Sequence, residues 1–173
     1  TNAPAGNDST KVADTTAVAT YDTTFKVEAE AFADIQVLRY QVPGFNQLSL
    51  QQKQLAYYLY EAALCGREIT YDQKSKYGIL IRKTIEAAYA SYTGDKNSDD
   101  WKQFEEYCGR VWFSNGNHHH YGNEKCIPAC SFDYFSSVIQ ASDSAQLPRT
   151  SGESVRAFIA KINPSVFDRK DCA

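Results

Sequence analysis

The apolar residues after Thr23 recur three and four positions apart, which is the spacing of α-helices. The first such stripe contains Phe25, Phe32, Ile35 and Leu38. It stops at Pro43-Gly44, because proline has no backbone N–H and glycine permits a turn. The pattern therefore predicts a first helix that ends before Pro43.

Capping residues and further stripes predict the next two helices. Ser49 and Gln52 match the capping-box pattern, which opens a helix that ends at Gly66. The apolar stripe of this second helix is Leu55, Leu59, Ala62 and Ala63. The third stripe is Ile81, Ile85, Ala88, Tyr89 and Tyr92, and Gly94 ends it. The segment between them, residues 67–78, shows no decisive pattern.

Three more helices are predicted in the second half of the chain. Asp99 and Asp100 suit the first turn of a fourth helix, since carboxylates are favoured beside the positive helix end. Its stripe is Trp101, Phe104, Cys108, Val111 and Trp112. Ser131 is the predicted cap of a fifth helix. The pair Thr150 and Glu153 forms a capping-box pattern for a sixth, which ends before Asn163-Pro164.

These patterns together predict an all-α fold, a compact array of about six helices, with no stretch of convincing two-residue alternation. Residues 1–22 are rich in Thr, Ala, Asn and Asp, and the first twenty hold no large apolar residue except two valines, so we expect a flexible N-terminal tether. Residues 23–173 form the predicted helical domain. Such a tether suits two settings, a periplasmic or lipid-anchored protein after signal-peptide removal, and a cytoplasmic protein with a polar start.

The charge and the hydropathy of the chain bear on nucleic-acid binding and on membrane insertion. The net charge of the 173 residues is −3, which gives no electrostatic reason to expect nucleic acid. No stretch approaches 18 consecutive apolar residues, so no transmembrane segment is predicted.

The chain has five cysteines, and an odd number argues against a closed disulfide framework. Cys65 and Cys108 fall on apolar helix faces, where a free cysteine acts as a small hydrophobic residue. Cys126 and Cys130 have a spacing that permits a disulfide or metal binding, and most such pairs do neither.

The three histidines of the chain are consecutive, at positions 118–120. Zinc requires three or four converging ligands, and adjacent residues cannot all face one ion, although His118 and His120 can in an extended segment. No H-E-x-x-H, G-x-S-x-G or phosphate-binding glycine loop is present. We therefore predict no catalytic residue and no metal site in this chain, and a structural or contact-making role for the histidine loop.

Five tyrosines lie at helical spacing in the second and third predicted helices: Tyr57, Tyr58, Tyr60, Tyr89 and Tyr92. Tyrosines with this spacing usually belong to the core and reach the surface with their hydroxyls. The alternative is a peptide-binding surface, because tyrosine offers contact area and a hydrogen bond at low entropic cost.

Three phrases resemble the N-terminal region of dipeptidyl peptidase III, and the bacterial branch is the more similar. They are FADIQVLRYQVPGF (32–45), QKQLAYYLYEAALCGREI (52–69) and RVWFSNGNHHHYGNEKCIP (110–128). The third phrase resembles a Ser-Asn-x-Gly-Asn pattern of the family, which reads Ser114-Asn115-Gly116-Asn117 here, with His118 where an aromatic residue is common and Cys126 where Phe is common. The resemblance covers about residues 25–165.

The resemblance implies a two-lobed zinc exopeptidase that releases dipeptides from the N-termini of short peptides. In that family zinc is held by H-E-x-x-G-H and E-E-x-R-A-E helices of the upper lobe, and neither motif is present in this chain. The chain would be the helical part of the lower lobe, inactive alone, with the remainder of the peptidase as its partner. Asn115, Asn117 and His120 would contact peptide or scaffold the loop, and Tyr121 would pack beneath them.

Two alternatives to a peptidase portion are open. The chain is also interpretable as a stand-alone, non-catalytic helical module that binds peptides or a protein. A third hypothesis is a transition-metal chaperone that uses His118, His120, Cys126 and Cys130.

Overall fold

The computed structural model describes residues 21–171, so residues 1–20 of the tether predicted over 1–22, together with Cys172 and Ala173, lie outside the described residues. In chain order the elements are β1 (Glu28–Phe32), β2 (Ile35–Leu38), a 3-10 turn (Phe45–Gln47), α1 (Leu50–Cys65), α2 (Arg67–Lys74), α3 (Gly78–Ser91), α4 (Asp99–Ser114), α5 (Phe132–Ala141) and α6 (Val155–Phe167). The described chain is mostly helical, as the apolar spacing predicts.

The predicted first helix is wrong, because that segment forms an antiparallel β-hairpin. Phe32 pairs with Ile35 across a two-residue turn in which Ala33 has a φ of 49°. In β2 the half-buried Ile35 and Val37 alternate with exposed neighbours, so the segment has a strand period after all. The three-residue spacing of Phe32 and Ile35 suits a helix as well as a tight hairpin. The positions of the apolar residues alone therefore do not distinguish the two structures.

The core is built by α3, α4, α5 and α6, whose predicted stripes lie inside. Its largest fully buried side chains are Trp101, Tyr71, Tyr107, Phe104, Phe135, Phe158, Ile81, Ile85, Ile139, Ile162, Val111 and Val138. The helix starts follow the capping chemistry: the Ser98 and Ser131 hydroxyls accept the N–H groups of Trp101 and Tyr134.

Helix α2 occupies the undecided segment and packs on α3 and α4 through Tyr71. The Tyr71 hydroxyl donates to the Val111 carbonyl at 3.4 Å. A β-carbon on Gly78 would lie 2.1 Å from the Tyr71 carbonyl oxygen. Only glycine therefore allows the backbone of the turn between α2 and α3 to come this close to Tyr71. The helical segment thus positions Lys74, whose ammonium donates to the Ser114 carbonyl at the end of α4.

Helix α6 begins four residues later than predicted and continues through the proline. Thr150 and Glu153 do hydrogen-bond, but in the preceding turn, and Ser154 is the cap that accepts the Ala157 N–H. Pro164 lies inside the helix, which ends at Phe167. The buried Ile162, Ser165 and Val166 hold this last turn against the core, which offsets the missing proline N–H.

Helix α1 has the predicted start and end but not the predicted burial. Ser49 and Gln52 form both hydrogen bonds of the capping box. None of its 16 residues is buried, and Leu55, Tyr58 and Leu59 are each more than half exposed. In the described chain α1 is therefore a helix with apolar residues and no covering partner.

Candidate functional site: the histidine loop

The histidine loop, residues 115–126, begins where α4 ends. Asn115 has a left-handed backbone conformation (φ 49°), and the Gly116 N–H donates to the Val111 carbonyl at 3.0 Å. This is the helix ending that asparagine or glycine permits at low cost. The side chain of Asn115 is exposed, so this predicted site residue lies at the surface.

A short two-stranded pairing holds the loop together. His118 and Lys125 form an isolated antiparallel bridge, and the Cys126 N–H donates to the Asn117 carbonyl at 2.9 Å. Further along, the His119 N–H donates to the Glu124 carbonyl at 2.7 Å. The backbone from 117 to 126 is thus a small hairpin whose tip holds His120 and Tyr121.

Asn117 fixes the base of this hairpin inside the protein. Its side chain is 1% exposed, and its Nδ2 donates to the Ser165 carbonyl of α6 at 2.9 Å. Its Oδ1 is buried and has no hydrogen-bond partner among the described residues. Of the two roles predicted for Asn117, the geometry matches loop scaffolding, because a side chain this buried presents no surface to a peptide.

The tip carries a row of aromatic rings. The His119 and His120 centroids are 4.3 Å apart, and those of His120 and Tyr121 are also 4.3 Å apart. Phe113 of α4 meets the edge of His120 at 5.1 Å. Tyr121 is 92% exposed, so the prediction that it packs beneath the loop is wrong. The reason is that the hairpin pairing turns the tip outwards.

His118 differs from the two histidines that follow it, because it is half-buried and its Nδ1 has no hydrogen-bond partner within residues 21–171. Burial lowers the pKa of His118, and the nearby Lys125 and Lys74 ammonium groups lower it further. The neutral imidazole is thus favoured in the folded protein. Its surroundings are cationic and therefore unfavourable for a metal ion.

The cysteines do not join the histidines in a binding site. Within residues 21–171 no group of three or more His, Cys, Asp or Glu side chains is arranged to hold a metal ion. Cys126 and Cys130 are free thiols, and burial raises the pKa of Cys130 to about 11. Cys108 is buried as expected for a small hydrophobic residue, whereas Cys65 is exposed, against the prediction, because α1 is uncovered.

The five tyrosines divide between the two interpretations. Tyr89 and Tyr92 stack on Trp101 at 5.7 and 4.8 Å and belong to the edge of the core. Tyr57, Tyr58 and Tyr60 on α1 are exposed, and for these three the expectation of a core position is wrong. Their exposure agrees with a contact surface.

The described residues thus define a mostly helical protein with an N-terminal β-hairpin, an uncovered helix α1 that carries apolar residues, and an outward-facing histidine loop. Among the described residues no helix is long and apolar enough to cross a membrane. In comparisons with known proteins, neither a family model nor a curated protein sequence matches this chain. The resemblance to dipeptidyl peptidase III therefore stays a prediction.

Proposed function

We propose that this chain is the N-terminal scaffold and substrate-cleft portion of a zinc-dependent dipeptidyl peptidase, which releases dipeptides from the N-termini of oligopeptides. The observation that carries the proposal is the phrase of residues 110–128. The most family-like stretch of the sequence forms one hydrogen-bonded loop with a buried anchor, Asn117, and an exposed aromatic tip. A wall of a peptide cleft needs both properties, rigidity at the base and contact area at the surface.

Helix α1 supports the proposal that a further part of the same peptidase covers this chain. In proteins most helical stability comes from packing an apolar face, and none of the residues of α1 is buried in the described chain. Its leucines and tyrosines are exposed, and exposed apolar side chains that lie together mark interaction surfaces. The remainder of the parent peptidase is the proposed cover.

The residues of this chain would bind and orient the peptide. His120 and Tyr121 offer stacking surface to peptide side chains, and the exposed amide of Asn115 offers a donor and an acceptor to the peptide backbone. The H-E-x-x-G-H motif is not part of this sequence. In the proposed parent a zinc ion held elsewhere supplies the metal-assisted hydrolysis.

The test uses the polypeptide encoded by the complete reading frame that contains this chain. Dipeptide release from a short peptide is measured by mass spectrometry for the parent and for Tyr121→Ala. Loss of a binding contact is expected to raise KM about tenfold with kcat little changed. Asn123→Ala, an exposed change in the same loop, is the control. Absence of dipeptide release, or an unchanged KM in Tyr121→Ala, would contradict the proposal for this loop.

The second candidate is a stand-alone helical module that binds a peptide or protein partner without catalysis. The exposure of Tyr57, Tyr58 and Tyr60 on α1 favours it, since tyrosine is enriched at binding surfaces. A calorimetric titration of short peptides against the purified chain distinguishes the candidates. Peptide binding that is weakened by Tyr58→Ala would support the binding module. The absence of a heat change up to millimolar peptide would contradict it.

A further inference from the structure

A groove separates the N-terminal hairpin from helix α4, and no role proposed above uses it. Its volume is about 630 Å³, within the range of small-ligand sites. Phe32 of the hairpin lies against Gly109, where an added β-carbon would be 2.9 Å from the Phe32 ring. Asp34 in the hairpin turn pairs with Arg110 of α4. These two contacts fix the hairpin over the helix and keep the groove open between them.

The walls of the groove are largely aromatic. Tyr89, Trp112 and Phe113 line it from the helices, and Phe32 and Val37 line it from the hairpin. The rings of Tyr89 and Trp112 meet edge to face at 5.4 Å. Tyr89 also stacks on Trp101 and has the Lys96 ammonium 5.6 Å from its ring centroid. The surfaces that suit a flat or alkylated group are therefore those of Phe32, Trp112 and Phe113.

The charges of the groove are unbalanced. Lys102 and the carboxylates of Glu30, Glu105 and Glu106 line it. Two of these four groups have partners of their own: Lys102 contacts Asp99 at 3.3 Å and Glu106 pairs with Arg110 at 2.9 Å. Glu30 and Glu105 form no ion pair within residues 21–171, so the groove has an excess of negative charge.

Glu105 lies beside the ring of Tyr89 in the groove. Its hydroxyl donates to the Glu105 carboxylate at 2.7 Å. The hydrogen bond to Glu105 and burial raise the pKa of Tyr89, and the charge of Glu30 raises it further. Glu30 and Glu105 thus both line the groove, and Glu105 is hydrogen-bonded to one of its aromatic side chains.

We propose that this groove binds an alkylguanidinium group, either as a free small molecule or as an arginine side chain of a peptide. A guanidinium is planar, weakly hydrated and able to stack on aromatic faces while its N–H groups bind carboxylates. A lysine ammonium is more strongly hydrated and does not stack in this way. The groove offers the matching surfaces, which are aromatic walls and two carboxylates, Glu30 and Glu105, with no ion-pair partner among residues 21–171. The inference concerns this chain alone and does not depend on the peptidase proposal.

The first experiment compares two ligands on the unmodified full chain by isothermal titration calorimetry. The ligands are the blocked peptides acetyl-Gly-Arg-Gly-amide and acetyl-Gly-citrulline-Gly-amide, which differ in the charge of nearly isosteric side chains. We expect the arginine peptide to bind at least about tenfold tighter, and its affinity to fall as salt is added. Equal binding of the two peptides, or no binding of either at millimolar concentration, would overturn the proposal.

The second experiment locates the site. The double variant Glu30→Gln/Glu105→Gln keeps side-chain size and the acceptor for Tyr89, and we expect about tenfold weaker arginine-peptide binding. Asp133→Asn, an exposed carboxylate on α5 outside the groove, is expected to leave binding unchanged. Unchanged binding in the double variant would overturn the assignment. Agmatine as a third ligand identifies the source: affinity equal to the peptide indicates a free guanidinium, and weaker affinity indicates a residue within a chain.

Discussion

The side-chain amide of Asn117 donates a hydrogen bond to the Ser165 carbonyl across 48 residues of sequence, at 2.9 Å. This bond joins the histidine loop to the last helix of the core. Because Asn117 is buried and its backbone carbonyl also accepts the Cys126 N–H, one residue fixes both the loop's position and its hairpin pairing. Asn117 therefore holds the loop in the orientation in which its tip, His120 and Tyr121, faces solvent.

Removing the anchor should destabilise the protein. Asn117→Ala leaves the Ser165 carbonyl without its donor inside the core, and we expect the free energy of unfolding to fall by about 1–3 kcal/mol. Urea unfolding followed by circular dichroism measures it. Asn123→Ala in the same loop is exposed and is expected to change stability by less than about 0.5 kcal/mol. Equal effects of the two variants would show that Asn117 does not anchor the loop.

Leucines of α1 should contribute little to the stability of this chain. Leu55 and Leu59 are exposed, so Leu55→Ala is expected to cost less than about 0.5 kcal/mol. Ile85→Ala in α3 removes a fully buried side chain and is expected to cost about 2–5 kcal/mol. Thermal unfolding of the two variants gives the comparison. A large loss in Leu55→Ala would mean that α1 is covered in the free chain.

His118 should make stability depend on pH in a defined direction. Its pKa is lowered in the folded state by burial first and by Lys125 and Lys74 next, so the unfolded chain binds the proton more readily. The contribution is fully present above the unfolded pKa of about 6.5 and is lost as pH falls towards the lower folded value. We expect unfolding free energy to fall less between pH 7 and 5 in His118→Gln than in the unmodified chain.

The matched control for that experiment is His120→Gln, because His120 is exposed at the loop tip. We expect its pH dependence to follow the unmodified chain. If His118→Gln and the unmodified chain lose stability in parallel between pH 7 and 5, the burial of His118 has no thermodynamic consequence.

Thiol reactivity should separate the cysteines by location. Cys65 is exposed on α1, whereas Cys108 is buried and burial raises its pKa well above the usual value. In a Cys172→Ser background, a thiol-specific reagent at pH 8 is expected to label Cys65 first and Cys108 and Cys130 only on unfolding, since the thiolate is the reactive form. Peptide mapping by mass spectrometry identifies the sites. Rapid native labelling of Cys108 would contradict the core packing around α4.

Helices α3, α4 and α5 were predictable because their apolar stripes pack in the core, and α4 and α5 also begin at serine caps. The hairpin was not, because its turn, Ala33-Asp34, lacks the Asn-Gly or Asp-Gly signal of two-residue turns. The side chain of Asp34 instead pairs with Arg110, 76 residues further on. A contact between residues so far apart in sequence cannot be predicted from the local pattern. The end of α6 was missed for a related reason, since burial of Ile162 and Val166 outweighs Pro164.

The site was predictable as a segment but not as a surface. The Asn-Gly-Asn and histidine residues mark a loop after α4 on sequence grounds. Which of its side chains face outwards depends on the Asn117–Ser165 bond and on the cross-strand pair of His118 and Lys125. The groove of Glu30 and Glu105 was not foreseen, because it exists only when the hairpin packs on α4.

The central claim, that this chain is a portion of a zinc dipeptidyl peptidase, is tested most directly by reading the source gene beyond the codon for Ala173. The account predicts that the reading frame continues and encodes an H-E-x-x-G-H motif several hundred residues on. A stop codon near Ala173, or a continuing frame with no such motif, would contradict it.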